Sequence, residues 1–547
     1  MTETKTKVAY FCMEYGLNEK LPLYAGGLGI LAGDYLKAAQ KISAPVTGIG
    51  IWWKQDYTHQ YINEEGYPYD TFPVNENSDH LQETGHHIRV DIGGHAVICD
   101  IYRVTSFDNA PLLLLDMRNP HPELGWINNK LYTGEGKKRI AQEIILGVGG
   151  IRALRELNIE VDKYHFNEGH AAFAGFELIR ETMSRDKIGF NSALKKIKEK
   201  IVFTTHTPVP AGNETHNLDL VKNMGGNCGL EMNHVKNIGG EPFNMTAACL
   251  RMASIANGVS QIHQTTARKM WEGLSKSAPI IAVTNGVHRE TWQAKEIREK
   301  KENPSQLWKT HMSLKKELVA YIADNTPAQM NEENLIIGFA RRAAPYKRSE
   351  LIFRDTEKIE EYLHKGKIQL VFSGKAHPDD HYGKDIVARL VKMDKKYQDS
   401  IVFLENYDME IARYLIRGCD VWLNNPRRPL EASGTSGMKV ALNGGLNLSV
   451  LDGWVAEGIE HGVNGWILDE LFTEYGENLK QDEKDLRALY SLLKNEVIPT
   501  YYNDREQWIN MMKASIKMAE DQFTAQRMIE EYYNKMYNQK VAVFSNK

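Results

Sequence analysis

A short loop of small and hydroxyl-bearing residues, bounded by a carboxylate and a lysine, is the most chemically informative segment of this chain. It runs from Glu431 to Lys439 with the sequence EASGTSGMK. Small residues let backbone N–H groups approach an anion, and the run from Met438 to Leu442 predicts a helix start, which favours negative charge. The lysine offers a point charge for phosphate or an amine that forms a Schiff base with a carbonyl cofactor. A solvated turn is the alternative, because Gly437 precedes methionine and the Walker A spacing fails.

A second segment places four cations within eight residues directly after an apolar strand. It runs from Arg341 to Arg348 with the sequence RRAAPYKR, and no acid follows before Glu350. A solvated helix face more often mixes signs, and Pro345 with the preceding alanines predicts a compact loop. The pattern favours an anion-binding loop, with an exposed charged face as the alternative.

Glycines at Gly26, Gly27 and Gly29 precede an amphipathic stretch that predicts a helix near residues 30–39. A dinucleotide site is disfavoured, because the first strand ends well before the glycines and no acid ends the next strand. A glycine-rich helix start that receives a substrate phosphate fits the pattern better. A plain helix-start turn is the alternative.

Polar residues follow further predicted strands. His206 is either a satisfied structural histidine or a ligand, and Asn285 begins an Asn-Gly turn. Glu168 and His170 are two candidate zinc ligands, but no third ligand stands at metal spacing, so the sequence predicts no metal site. A carboxylate such as Glu431 suits a polyol, because sugar hydroxyls donate as well as accept hydrogen bonds.

The elements that must position these residues follow an α/β pattern, in which apolar strand-like runs alternate with helical patterns. The first series of predicted strands is Val8–Cys12, Val46–Ile51, His95–Ile101, Leu112–Asp116, Tyr164–Asn167, Ile201–Thr205, Gly258–Ile262 and Ile280–Val283. The second series is Leu335–Ala340, Ile368–Ser373, Ile401–Glu405, Val421–Leu423 and Leu446–Ser449. Predicted helices include Gly33–Gln40, Lys137–Leu157, Ala171–Arg185 and a helical tail over 482–537.

At 547 residues the chain is too long for one hydrophobic core, so we expect more than one domain. We predict an N-terminal Rossmann-like domain over 1–300 with the GGLG loop, a second Rossmann-like domain over 301–490 with the lysine loop, and C-terminal helices over 491–547 that pack back across the domains. The charged stretch 296–324 is the expected connection. Two doubly wound domains facing each other would bring the carboxyl ends of their strands into one cleft.

Composition excludes several classes of function. Hydrophobic residues make up 42% and charged residues 25% of the chain, as in ordinary globular proteins. A net charge of −4 gives no electrostatic case for nucleic acid or an anionic membrane. Five scattered cysteines without a CxxC pair predict a reducing compartment, and the polar N-terminus has no signal-peptide pattern, so we expect a cytoplasmic protein. Only seven residues precede the first predicted strand, so we expect no N-terminal regulatory switch.

The stretch from Glu431 to Gly444 closely resembles the cofactor-lysine motif of the α-glucan phosphorylases, which use pyridoxal 5'-phosphate. It continues into Leu451-Asp452-Gly453, which that family also carries, and other segments from Gly26 onward follow in the family's order. The resemblance therefore covers most of the chain. It implies two Rossmann-like domains facing across a cleft, the glycosyltransferase-B-like fold of retaining glycosyltransferases.

The resemblance also implies roles for individual residues. The catalytic positions are Lys439, Arg342, Lys347 and His206. The positions that contact the cofactor are Lys439, Thr435, Ser436, Gly437, Arg341 and Tyr407. The positions that contact substrate are Gly26, Gly27, His206, Asn285, Glu431, Ala432, Ser433 and Gly434. The implied partners are α-glucan, inorganic phosphate and glucose 1-phosphate, and the family's habit implies a homodimer.

The implied activity is reversible phosphorolysis of terminal α-1,4-glucosyl units to α-glucose 1-phosphate with retention. A cofactor phosphate and a substrate phosphate would lie side by side, so fixed cations must offset their repulsion. The chain departs from the long phosphorylases at Ser436-Gly437, where they read Gly-Asn, and at Asp408, where they commonly have arginine. Two alternatives remain: a cofactor-independent glucosyltransferase of the glycogen or starch synthase kind that uses a nucleotide sugar, and a glucan-binding module without activity.

Overall fold

The computed structural model describes residues 5–76, 78–118, 124–132, 134–209, 212–468 and 478–539. By its packing the chain forms two compact units. Unit 1 comprises Met1–Tyr57, Phe72–Thr284 and Ala525–Lys547, and unit 2 comprises Thr58–Thr71 and Asn285–Thr524. The sequence predicts boundaries after residues 300 and 490, whereas the packing divides the chain after Tyr57, Thr71, Thr284 and Thr524.

Unit 1 is built on a nine-stranded sheet in which seven neighbouring strands are parallel. Their order across the sheet is Ile280–Ala282, Ile255–Gly258, Ile201–Thr204, Lys163–Asn167, Val8–Phe11, Val46–Ile51 and Leu112–Arg118. This is the doubly wound arrangement, and the strand order reverses between Val8–Phe11 and Lys163–Asn167. The antiparallel hairpin of His95–Val104 and Gln82–Ile92 extends the sheet beyond Leu112–Arg118.

Helices follow the strands of unit 1 along the chain, as the alternating pattern predicts. They are Gly27–Lys41, Lys137–Ile144, Gly150–Glu156, Ala172–Asp186, Phe190–Lys198, Leu218–Met224, Met232–Gly239, Met245–Met252, Gln261–Met270 and Ala525–Tyr532. Two small antiparallel sheets pair Tyr15–Asn18 with Leu21–Leu23 and Thr215–His216 with Phe243–Asn244.

The predicted strand at Gly258–Ile262 is wrong, because the strand there ends at Gly258. Ser260 instead caps the next helix, Gln261–Met270, and its side chain accepts a hydrogen bond from the His263 amide at 3.0 Å. A serine at this position satisfies an amide that the first helical turn leaves unpaired. The strand therefore covers Ile255–Gly258, and the residues after it begin a helix.

Unit 2 contains a six-stranded sheet in which all strands are parallel. Their order across the sheet is Ile401–Leu404, Ile368–Ser373, Leu335–Ala340, Val421–Asn424, Leu446–Ser449 and Gly465–Ile467. In chain order this is 3-2-1-4-5-6, the Rossmann order, with the reversal between Leu335–Ala340 and Val421–Asn424. The prediction of an α/β fold with two Rossmann-like sheets is confirmed.

The helices of unit 2 cover the strands and the ends of the sheet. They are Arg289–Trp292, Lys295–Lys300, Pro304–Asn325, Thr356–His364, His381–Lys396, Met409–Gly418, Ser436–Ala441, Val455–Gly458, Asn478–Leu492, Ile498–Asn503 and Arg505–Gln522. A hairpin of His59–Ile62 and Pro68–Thr71 also belongs to this unit. Across the described ranges, none of the helices combines the length and apolar character needed to span a lipid bilayer.

A buried carboxylate joins the two central strands of unit 2 to the helix Pro304–Asn325. Asp420 Oδ2 accepts hydrogen bonds from Lys315 Nζ at 2.6 Å and from the Ile336 amide at 2.7 Å, and Oδ1 lies 2.8 Å from His311 Nε2. Both charged side chains are fully buried. Burial opposes ionisation of Asp420, but the charge of Lys315 and the bond to His311 outweigh it and lower its pKa.

We expect D420A to lower the free energy of unfolding by about 3–5 kcal/mol, because it leaves the Lys315 charge buried without its carboxylate. Chemical denaturation measures this change. D521A removes an exposed carboxylate that pairs with Lys517, and it should leave stability almost unchanged. A D420A loss no larger than that of D521A would contradict the role of Asp420 as the anchor of the central strands.

Candidate active site

The carboxyl ends of the two central strands of unit 2 carry oppositely charged groups that meet. Leu335–Ala340 leads directly into Arg341, and the segment after Val421–Asn424 leads to Glu431. Glu431 accepts a hydrogen bond from Arg341 Nη1 at 3.1 Å and another from Lys347 Nζ. Burial opposes ionisation of Glu431, and the charges of Lys347 and Arg341 outweigh it, so its pKa lies below the ordinary range.

The two cations predicted to hold substrate phosphate lie in different environments. Lys347 is largely buried against Glu431. Arg342 is exposed and has no hydrogen-bond or ion-pair partner among the residues that the structure describes. The loop therefore presents one cation held in the crevice and another free to move toward an anion.

The loop after Glu431 is held by a buried carboxylate. Asp452 accepts hydrogen bonds from the Glu431 amide and from the Gly453 amide, both at 2.9 Å. Burial raises the pKa of Asp452 to about 7. Gly434 has a φ of +82°, which a glycine adopts without strain. Ser433 is buried, and within the described ranges its hydroxyl has no hydrogen-bond partner.

Lys439 lies inside the protein on the short helix Ser436–Ala441. Its Nζ is 3.5 Å from the centroid of the Trp292 ring, and only 7% of Lys439 is exposed. The Asn443 side-chain amide donates to the carbonyls of Lys439 and Trp292 at 2.9 and 3.0 Å and accepts from the Ala294 amide at 2.8 Å. Trp292 was not identified from sequence, because no spacing rule connects it to a lysine so far along the chain. Asn443 lies within the family-like stretch Glu431 to Gly444, but the sequence assigned it no role.

The two departures in the lysine loop have local packing reasons. The Ser436 hydroxyl accepts a hydrogen bond from Trp422 Nε1 at 3.1 Å. A Cβ at residue 437 would collide with Asn447 Oδ1 and lie 2.9 Å from Cζ2 of Trp454, so any larger residue would have to displace these side chains. The side-chain nitrogen of Asn447 donates to the Gly437 carbonyl at 3.1 Å.

Asp408 stands at the start of the helix Met409–Gly418. Its side chain accepts a hydrogen bond from the Ile411 amide at 2.9 Å and caps the helix. Tyr407, which precedes it, is half-buried, and burial together with the Asp408 charge raises its pKa although Arg341 lowers it. The Asn406 amide donates to the carbonyl of Gln60 at 3.0 Å, so the hairpin of unit 2 fixes the backbone before Tyr407.

In unit 1 the glycine loop is held by hydrogen bonds to the carboxylate of Glu14. Glu14 Oε2 accepts hydrogen bonds from the amides of Ala25 at 2.7 Å and Gly26 at 3.0 Å, and Oε1 accepts from the Tyr132 hydroxyl at 2.8 Å. Glu14 follows the strand Val8–Phe11 at the point where strand order reverses. A Cβ on Gly26 or Gly27 would meet no atom within 4 Å, so space lies beside both. Glu14 was not identified from sequence.

His206 forms a hydrogen-bonded group with the strand-end residues Asn167 and Glu168. Its Nε2 lies 2.7 Å from Asn167 Oδ1, and its amide donates to Glu168 Oε2 at 2.8 Å. Burial lowers the pKa of His206 to about 3, so the ring is neutral near pH 7. Asn285, the other residue predicted to bind sugar after a strand of this series, is buried and is the first residue after the unit boundary.

A cluster in unit 1 brings together metal-ligand types that were not identified from sequence. Glu143, Glu214 and His216 each place a ligand atom within 4.8 Å of the others. His216 Nε2 lies 2.7 Å from Glu143 Oε2, and Arg139 Nε lies 2.9 Å from Glu214 Oε1. One arginine faces two carboxylates here. Burial raises the pKa of Glu143 to about 8, and burial and Glu143 raise that of Glu214, so a retained proton balances the remaining charge. That the protein has no metal site stays a prediction.

We expect the free energy of unfolding to fall by about 2 kcal/mol between pH 6.5 and 8 through Glu143. The unfolded state has released this proton above an ordinary pKa near 4.5, whereas the folded state keeps it until about 8, so stability is lost as pH rises. Buried histidines act in the opposite direction, because the unfolded chain is still partly protonated at its histidines at pH 6.5, so the contribution of Glu143 is measured against wild type. Between pH 6.5 and 8 the free energy of unfolding of E143Q should shift by about 2 kcal/mol toward stability relative to wild type, and E156Q, at an exposed glutamate, should match the wild type. Equal slopes in E143Q and wild type would contradict the assignment.

Comparison with known proteins places this chain among the phosphorylases. The profile of the carbohydrate phosphorylase family matches residues 289–490. Maltodextrin phosphorylase of Thermococcus litoralis is 38% identical over 98% of this chain and 71% of its own length. Glycogen phosphorylase of Mycobacterium tuberculosis is 36% identical over 97% and 71%, and that of Aquifex aeolicus is 33% identical over 98% and 86%. The resemblance seen in the sequence is confirmed, and the chain belongs to the carbohydrate phosphorylase family.

Proposed function

We propose that this protein is an α-1,4-glucan phosphorylase. It transfers a terminal glucosyl unit of an α-glucan to inorganic phosphate with retention, giving α-glucose 1-phosphate, and catalyses the reverse reaction. The observation that carries this proposal is the contact of Glu431 with Arg341 and Lys347 at the strand-order reversal of unit 2. It combines cations for a phosphate with an acceptor for a sugar hydroxyl. Membership of the family, which includes maltodextrin and glycogen phosphorylases, supports the same assignment.

Charge explains how these residues serve the reaction. Two cations and one carboxylate leave the cluster with one net positive charge, and Arg342 on the same loop adds a second. Inorganic phosphate carries about −1.5 to −2 near neutral pH, so these groups offset much of the charge that enters with it. Phosphate oxygens then replace Glu431 as acceptors for Lys347, and Arg341 faces the neighbouring cofactor phosphate. Glu431 becomes available to accept a hydrogen bond from a sugar hydroxyl.

The surroundings of Lys439 fit pyridoxal 5'-phosphate. A buried primary amine rests on the indole face of Trp292, and the helix that carries it starts at Ser436. Thr435, Ser436 and Gly437 would hold the cofactor phosphate with the first-turn amides, and Arg341 would offset its charge. When bound, the cofactor supplies a phosphate with a pKa of roughly 6, which suits proton exchange with the substrate phosphate.

The residues proposed to bind the glucosyl unit include His206 in unit 1. Because Nε2 faces the side-chain oxygen of Asn167, the neutral ring carries its proton on Nε2 and leaves Nδ1 as an acceptor for a sugar hydroxyl. Gly26, Gly27 and Asn285, with Ala432 to Gly434, are proposed as further contacts. The homodimer and the cytoplasmic location that the sequence predicts stay predictions, and light scattering tests the first.

We expect the purified protein to absorb in the visible or near-ultraviolet range, because the cofactor is attached to Lys439. Borohydride reduction and peptide mass analysis should place the adduct on this lysine. K439A should lose both absorbance and phosphorolysis, whereas K517A, at an exposed lysine of the same unit, should retain them. A colourless protein that remains active after exhaustive cofactor removal would show that the cofactor assignment is wrong.

We expect K347A and R342A each to raise the KM for inorganic phosphate by roughly 10- to 150-fold. Each loses a charge-assisted hydrogen bond worth about 1.5–3 kcal/mol. Initial rates of glucose 1-phosphate formation at varied phosphate measure the change. K358A removes an exposed lysine of unit 2 and should behave as wild type. Efficient glucosyl transfer from a nucleotide sugar without phosphate would favour the synthase alternative.

A further inference from the structure

We propose that Arg348 is a positioning residue of the phosphate site, which fixes Lys347 against Glu431. This inference rests on the proposed function, because it assumes that Lys347 binds phosphate. The Arg348 side chain is only 2% exposed, although it ends a loop in which Arg342 is exposed. A guanidinium so deeply buried has to be fully hydrogen-bonded and paired with charge.

All three nitrogens of the Arg348 guanidinium donate hydrogen bonds. Nε donates to the Asn425 carbonyl at 2.8 Å, and Nη2 donates to the Pro426 carbonyl at 2.9 Å. Nη1 donates to Asp482 Oδ1 at 2.8 Å, and Nη2 also donates to Asp485 Oδ2 at 2.6 Å. The Asn425 side chain in turn donates to the Arg348 carbonyl at 3.2 Å. Arg348 therefore joins its own loop to the segment that begins after the strand Val421–Asn424.

The backbone at Arg348 shows why its side chain affects Lys347. Arg348 has a φ of +54°, a left-handed conformation that is strained for a residue other than glycine. It follows the single turn Pro345–Lys347 and ends that turn. The side-chain bonds of Arg348 hold this strained conformation in place. Without them the turn could relax, and Lys347 would move away from Glu431.

A second arginine links the same two loops through the same acid. The Arg427 amide donates to the Tyr346 carbonyl at 2.7 Å. Arg427 Nη2 donates to both oxygens of Asp482, at 2.8 and 2.7 Å. Burial opposes ionisation of Asp482, and the bonds from Arg427 and Arg348 outweigh it, so its pKa is lowered. The helix Asn478–Leu492, which carries Asp482, thus supports the crevice without contributing a residue to phosphate itself.

The hydrogen bonds that the Arg348 side chain makes to the neighbouring loop and to the two aspartates require arginine and not merely a cation. The planar guanidinium reaches two backbone carbonyls and two carboxylates at once, whereas a lysine has one compact ammonium and cannot span them. R348K therefore keeps the charge but releases the connection between the two loops. A role in stability alone would weaken the whole fold without a preference for one substrate.

The test compares R348K and D485N with wild type in the holoenzyme. We expect R348K to raise the KM for phosphate about tenfold and to leave the KM for glucan nearly unchanged, because phosphate alone depends on Lys347. Calorimetric titration with inorganic phosphate should show the same weakening, and D485N should show it to a smaller degree. R389K makes the same change at an exposed, bidentate arginine–glutamate pair of unit 2 and should match wild type.

The outcomes separate this inference from the proposed function. If wild type neither binds phosphate nor releases glucose 1-phosphate, the proposed function fails. If wild type does both and R348K and D485N bind phosphate equally well, the positioning role is wrong. Equal losses for phosphate and glucan, accompanied by a lower melting temperature, would also overturn it in favour of a structural role. If R348K does not fold, D485N decides between these outcomes.

Discussion

The reversal of strand order within each parallel sheet is the constraint on which the rest of this protein depends. Helices that leave the central pair of strands cross to opposite faces of the sheet, so a crevice opens at the carboxyl ends of that pair. In unit 1 the pair is Val8–Phe11 and Lys163–Asn167, with Glu14 three residues after the first strand and Glu168 directly after the second. In unit 2 the equivalent pair leads to Arg341 and to the Glu431 loop. The side chains that can do chemistry therefore lie where topology leaves room for a ligand.

Within these crevices the protein satisfies its buried donors with its own carboxylates. Glu431 pairs with the cations that we assign to phosphate, and Glu14 accepts hydrogen bonds from two amides of the glycine loop. Buried donors without partners are costly, so a site that we propose for an anion needs another acceptor before the anion binds. This internal acceptor also lowers the affinity for the anion, since the anion has to compete with a preformed ion pair. Asp420 shows the contrasting case, in which a similar buried pair only holds the sheet together.

Much of this architecture follows from the sequence, and the exceptions have physical causes. Buried parallel strands are continuous apolar runs, so both series of strands, and the α/β class, were predictable. The cationic run predicts an anion-binding loop, but the partners of its arginines could not be predicted from the sequence. Arg341 is paired, Arg342 is exposed and Arg348 is clamped, because their neighbours come from segments distant in the chain. For the same reason Trp292 beside Lys439 carried no local signal.

The lysine loop shows how a departure from a family's pattern is read once its neighbours are known. Glycine at residue 437 looks like the loss of a polar contact when only the loop is considered. The side chain of Asn447 occupies the space that a Cβ would need, and its nitrogen donates to the Gly437 carbonyl. The side chain of Asn447, on the neighbouring strand Leu446–Ser449, thus occupies the space that a side chain at residue 437 would fill. Trp422, on another strand, likewise donates a hydrogen bond to the Ser436 hydroxyl. Packing from adjacent strands therefore accounts for both substitutions, and the helix still begins where Lys439 requires it.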